Sequence, residues 1–153
     1  MKIPSEEKSE IMKPMKAVLL AALLALASHS ASAEGAIAVA EPKDVAADGY
    51  SSGFSYNYNS RAEADERALS ECRDSPDASP ATKKLCKVVR NFRNQCVAVA
   101  LDPQSGTPGA GWAVGDTLEV ARRDALRACE DTAGRDRQGK CEVTVDGCDG
   151  SAK

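Results

Sequence analysis

Histidine is almost missing from this chain: one residue, His29, in 153. Aromatic residues are scarce as well, at 4%, with a single tryptophan. No apolar run after residue 33 is long enough to span a bilayer, which takes about 20 residues. Each shortage excludes something. If the first 33 residues are removed, His29 goes with them, and the remaining chain has no imidazole. That rules out Ser-His-Asp and Cys-His catalysis and any zinc site built on histidine. With so few aromatics, a domain of this size must find stability elsewhere.

The first 33 residues read as a leader. Ala17–Ala27 is AVLLAALLALA, preceded by Lys13 and Lys16 and followed by Ala31-Ser32-Ala33. A basic start, a short apolar stretch and an A-x-A end form a secretory signal peptide, with cleavage expected after Ala33. The apolar stretch is too short for a membrane anchor. Glu6, Glu7 and Glu10 are unusual in such a segment, and Met12 or Met15 makes a more ordinary start. The expected location is therefore periplasmic or secreted. The mature chain would be a single domain over 34–153. Removing the leader takes away four lysines and three glutamates, so the charge becomes one unit more negative than the −3 of the whole chain.

Six cysteines remain: Cys72, Cys86, Cys96, Cys129, Cys141 and Cys148. In an exported chain an even set of this kind reads as a disulfide framework, with no metal and no cofactor implied. Six cysteines allow 15 connectivities, and an internal repeat helps to choose among them. RALSEC at 67–72 returns as DALRAC at 124–129. Around these segments the halves 35–94 and 95–148 align. AIAVA (36–40) matches CVAVA (96–100), and both suit a buried strand. EPKDVAADG and DPQSGTPGAG are loops with turn residues. GFSYNYN (53–59) and GWAVG (111–115) are second strands. The first alternates Phe54, Tyr56 and Tyr58 with Ser55 and Asn57.

Helices follow. Ser60 with Glu63 forms a capping box. Its counterpart starts at Thr117, with Asp116 and Glu119 as a rival box. Ala64, Ala68, Leu69 and Cys72 match Ala121, Ala125, Leu126 and Cys129 on one apolar face. Strands led by Cys86 and Cys141 close the halves. The fold class is therefore α+β: a duplicated β-β-α-β unit, an antiparallel-rich sheet with two helices, stapled by disulfides. Equivalent cysteines imply equivalent bonds, Cys72–Cys86 and Cys129–Cys141, which leaves Cys96–Cys148. Loops of this length contribute roughly 3 to 4 kcal/mol each in the chain-entropy account.

On these residues the chain resembles domain-of-unknown-function family 4189, small exported bacterial proteins. The motifs are Gly35-Ala36-Ile37-Ala38, Gly53-Phe54, Ser60-Arg61-Ala62-Glu63-Ala64, Ala68-Leu69 with Cys72, and Cys86-Lys87-Val88-Val89. The second half keeps Gly111-Trp112, Ala121, Ala125-Leu126 and Cys129. Glu34 stands where the family usually has an aromatic. The second helix starts Leu118-Glu119-Val120 instead of Arg-Ala-Glu. The resemblance brings no catalytic residue.

The candidate chemistry is sparse. Glu63, Asp65, Glu66 and Glu71 read as the solvated face of a helix. Asp146-Gly147-Cys148-Asp149-Gly150 lacks the spacing of a calcium loop and reads as a turn. Tyr56 and Tyr58, with Trp112, are candidates for an aromatic binding surface, with core packing as the alternative. Charge segregation is the sharpest feature. Residues 83–99 hold Lys83, Lys84, Lys87, Arg90 and Arg93 and no acid, in an otherwise acidic chain. Such a segment can meet an anionic partner or pair internally with the acidic first helix. A strict period of two sets Lys87 apart, so Lys83, Lys84, Arg90 and Arg93 are the expected contacts. The expected function is a non-catalytic exported binding module for a protein or an anionic envelope polymer, of inhibitor, immunity or host-directed type. The alternative is a secreted cell-wall hydrolase using two carboxylates. An acidic chain without a nucleic-acid motif is not expected to bind nucleic acid.

Overall fold

A computed structural model describes residues 33–153 apart from Asp77. The expected leader lies outside the described residues, except for Ala33. The first half runs β1 (Glu34–Ala40), a helical turn α1 (Val45–Asp48), β2 (Ser51–Tyr58), α2 (Arg61–Asp74), a second turn α3 (Pro80–Lys83) and β3 (Lys87–Phe92). The second half runs β4 (Cys96–Leu101), β5 (Ala110–Gly115), α4 (Leu118–Ala133), a 3-10 turn (Arg135–Arg137) and β6 (Glu142–Cys148). Each half builds a three-stranded antiparallel sheet around its first strand, in the orders β2-β1-β3 and β5-β4-β6. The expected antiparallel α+β architecture is present, as two sheets that repeat one topology.

The central strands explain the layering. In β1, Ala36, Ala38 and Ala40 point one way and pack on Ala64, Ala68 and Cys72 of α2. Ile37 and Val39 point the other way. In β4, Cys96, Ala98 and Ala100 pack on Ala121, Ala125 and Cys129 of α4, while Val97 and Val99 face away. The four aliphatic residues meet in one cluster with Tyr50, Phe92 and Ala110. The result is helix, sheet, sheet, helix: small residues line each helix–sheet seam, and branched residues fill the space between sheets. Small residues are needed because each helix lies almost on the sheet. A Cβ on Gly53 would run into the backbone of Ala68 and Cys72, and one on Gly111 into that of Cys129. Ser51 and Ser55 on the same face of β2 donate to the carbonyls of Cys72 and Ala64.

The helix starts follow their capping residues. Ser60 Oγ accepts from the Glu63 amide, and Thr117 Oγ1 from the Val120 amide, both at 3.3 Å. Asp116 instead accepts from the Gln95 side chain, at 2.9 Å, so Thr117 is the cap. Two short helical turns sit where loops are expected. Asp44 caps α1, and Ser79 caps α3 with Pro80 in its first turn. They lock together, since the Asp48 carbonyl accepts from the Ser79 amide and the Thr82 hydroxyl.

The three disulfides are Cys72–Cys86, Cys129–Cys141 and Cys96–Cys148. The first two tie helix end to last strand at nearly equal Cα separations, 6.0 and 6.1 Å. The third crosses between directly opposed residues of β4 and β6. Each helix also holds its edge strand through one polar pair at equivalent places: Asp65 accepts from Asn91 in the first half, and Asp146 from Arg122 in the second.

Candidate functional site

The basic segment lies along an outer edge of the first sheet. Lys83 ends α3, Lys84 follows it, and Lys87 and Arg90 belong to β3. A bulge decides which way the β3 side chains point. Ile37 pairs with Arg90 but Ala38 pairs with Val88, so Val89 is an extra residue. Lys87 is opposite Val39 and Arg90 opposite Ile37. Both central residues face the inter-sheet layer, so Lys87 and Arg90 share one side. A regular strand would have put residues three apart on opposite sides. The period-of-two expectation that sets Lys87 apart therefore fails at the bulge, and Lys87 joins the cluster.

Internal pairing does not account for these cations. Among the described residues, Lys83, Lys84, Lys87 and Arg90 have no acid within ion-pair distance. The nearby helix acids are engaged elsewhere or open to solvent. Asp65 holds Arg61 and Asn91, and Glu71 holds Arg67 at 2.5 Å. Glu63 and Glu66 are exposed. Arg93 is the exception, since it pairs with Glu34. Leu85 lies between Lys84 and Lys87 and is 49% exposed, an unusual position for a leucine beside a disulfide.

The aromatic candidates do not form one surface. Phe54 and Tyr56 stack with ring centroids 5.9 Å apart, against Gly147 of β6. Tyr56 remains 43% exposed. A second bulge, near Asn57, breaks the alternation: Glu34 pairs with Tyr58 and Ala36 with Ser55. Tyr58 is thereby turned to the helix side, where it packs on the α2 seam. Trp112 stands opposite Val99 and packs into the inter-sheet cluster. Core packing accounts for Phe54, Tyr58 and Trp112, and leaves Tyr56 as the exposed aromatic.

Among the described residues two carboxylates are buried, at opposite ends of β4. Asp102 follows Leu101 and takes a bidentate fork from Arg137, at 2.7 and 2.6 Å. That hydrogen-bonded pair, with the Gln104 amide, holds the Asp102 carboxyl down at about 2. Asp149 sits by Gln95 and accepts from the amides of Asn57 and Asn94. The sequence pattern marks neither as buried, and Asp149 reads there only as part of a turn. Neither faces the other, so the two-carboxylate arrangement of a hydrolase does not arise from this pair.

A cleft of about 530 Å³ opens where the β1–β2 and β4–β5 loops meet. Tyr50 lies in its wall, and its buried hydroxyl has no partner among the described residues. Burial, helped by Glu41, pushes that hydroxyl's pKa up. Asp102 in the cleft wall is already clamped by Arg137.

These features define a class: a disulfide-stapled α+β protein of two repeated halves, with one uncompensated basic edge. The chain belongs to the family of the domain of unknown function DUF4189, whose model matches residues 30–148. No curated protein and no solved structure matches it.

Proposed function

We propose that this is an exported binding module that docks an anionic partner along β3, through Lys83, Lys84, Lys87 and Arg90. One observation supports the reading above others: four cations follow one another along α3 and β3 with no acid within ion-pair distance among the described residues, in an acidic chain. Uncompensated like charges repel one another, and an opposite surface relieves that repulsion while steering encounter. The signal-peptide pattern of Lys13–Ala33 supports export, and the three disulfides suit an oxidising compartment. Arg93 contributes less than its neighbours because Glu34 already holds it. Tyr56 is too far removed in the fold, on the opposite edge strand of the sheet, to join this patch.

The test is charge reversal. Lys84→Glu with Arg90→Glu should weaken retention of the oxidised chain 34–153 on an envelope fraction and flatten the salt dependence of that retention. Both positions are exposed, so stability should shift by only about 0.5 kcal/mol. Unfolding of the double variant, with retention per folded molecule unchanged, would show that the cations stabilise the fold and do not dock.

A further inference from the structure

The four edge strands of the two sheets are not equivalent. The backbone of β2 is reached from outside its sheet by Glu71 at Phe54 and by Asp149 at Asn57. That of β5 is reached by Thr132 at Ala110. Among the described residues, no side chain or loop bonds to the backbone of Lys87–Phe92 or of Glu142–Cys148, so β3 and β6 are both open and differ in charge. An edge of this kind presents a row of unpaired amides and carbonyls. Lysine on an edge usually deters pairing, because a second positive or neutral strand must desolvate the charge. An acidic strand reverses that effect. The same cations that repel other chains then select it.

Resting on the docking role of this basic surface, we propose that β3 accepts an extended acidic segment of a partner protein as an added strand. Three observations converge. The edge is open. The Val89 bulge puts Lys87 and Arg90 on one side, where carboxylates two positions apart on an added strand can reach both. Half-exposed Leu85, flanked by Lys84 and Lys87, offers an apolar contact beside the charges. The preferred segment therefore alternates acids with apolar residues. A strand partner also satisfies both amides and carbonyls of the edge, whereas a phosphate polymer supplies acceptors alone. The equivalent edge of the second half, β6, carries Glu142 where β3 has Lys87, and its Asp146 is already held by Arg122.

The experiment uses the oxidised chain 34–153 and three probes: a capped peptide of alternating Glu and Val, the same peptide with alternate backbone amides methylated, and inorganic polyphosphate. Binding is read by fluorescence anisotropy, and β3 protection by amide hydrogen exchange. The expected result is peptide binding that slows exchange over Lys87–Phe92. Methylation should weaken it about tenfold or more, because the main-chain ladder is lost. Lys84→Glu with Arg90→Glu should weaken it comparably, and Lys83→Gln with Lys87→Gln gives an independent check. If both peptides bind alike and both are lost on reversal, strand addition is wrong and plain charge docking stands. If polyphosphate binds and the peptide does not, the partner class is wrong. If reversal affects no probe, the docking surface itself is wrong. Concentration-dependent self-association abolished by the reversal would assign the edge to β6 of a second copy and overturn the partner-protein inference.

Discussion

Asp149 joins the two halves, and its removal should be among the costliest single changes outside the cysteines. It is fully buried. One carboxylate oxygen accepts from the Asn57 amide at 2.7 Å and the other from the Asn94 amide at 3.1 Å. Asn57 and Asn94 are the described non-glycine residues with positive φ, at 62° and 51°. Left-handed backbone is unfavourable for residues with a Cβ, least so for asparagine. Their side chains bond back, since Asn57 Oδ1 accepts from the Gly150 amide and Asn94 Oδ1 from Ser151. Two turns of the first half are thus held by the tail of the second. Asp149→Ala removes two hydrogen bonds to a carboxylate, each worth about 1.5 to 3 kcal/mol net, and strands two amides. Partial relaxation toward water lowers the sum, so about 3 to 4 kcal/mol is expected. Asp149→Asn keeps one acceptor and aims an NH₂ at the other amide, for about 2 kcal/mol. The control is Asp146→Asn, whose pairing with Arg122 is solvent-exposed and worth under about 1 kcal/mol. Urea unfolding of the oxidised protein gives the free energies, and hydrogen exchange at Asn57 and Asn94 gives the local effect. A cost below about 0.5 kcal/mol for Asp149→Ala, or unchanged protection at both amides, would refute the clasp.

Two further outcomes follow from the seams and the loops. Gly53→Ala and Gly111→Ala should each destabilise by about 2 to 3 kcal/mol through overpacking against helix backbone. The similarity of the two costs is the point: a neutral result at either in urea melts would break the equivalence of the helix–sheet seams. The Asp102–Arg137 pair contributes to acid stability. Arg137 holds the Asp102 carboxyl at about 2, below the ordinary aspartate value of 3.8. Its contribution is therefore complete above about pH 4 and lost as pH falls through the folded value near 2. Arg137→Gln should flatten the decline in stability between those limits. An acid limb of the same steepness in wild type and variant would show that Arg137 does not hold the carboxyl down.

Much of this architecture was legible because small residues and cysteines occupy the seams. Alanine alternating with valine or isoleucine in AIAVA and CVAVA marks two faces of different depth. The repeated Ala-Leu-x-x-Cys marks which helix end meets which strand, and the disulfides follow from that equivalence. What stayed hidden depends on single inserted residues and on long-range partners. A period of two cannot reveal that Val89 is extra, yet that residue moves Arg90 to the side of Lys87. Nor can it reveal the bulge near Asn57 that sends Tyr58 away from Tyr56. The number of sheets was hidden for a related reason: branched residues at 37, 39, 97 and 99 fit one two-sided sheet or two sheets face to face. Asp149 looked like a turn residue because its partners are 92 and 55 positions away.

The differences between the halves say where function is to be sought. Positions that match across the repeat, Ala64 with Ala121, Gly53 with Gly111 and Cys72 with Cys129, all lie where a helix meets its sheet. Positions that diverge lie on the rims. Asp65 with Asn91 becomes Arg122 with Asp146, so the same helix-to-edge link is kept with different charge. The edge that bears Lys87 and Arg90 in the first half bears Glu142 in the second, with Asp146 turned to the helix side and held by Arg122. Packing demands the first set in both halves, and no packing argument demands the second. A symmetric scaffold with asymmetric edges is suited to present one edge to a partner while the other repels it, because an acidic strand approaching β6 meets its own sign. Exchanging the signs, with Lys87→Glu and Arg90→Glu against Glu142→Lys, should therefore move peptide-dependent protection from β3 toward β6. Protection that stays on β3 after the exchange would mean that shape selects the edge and charge does not.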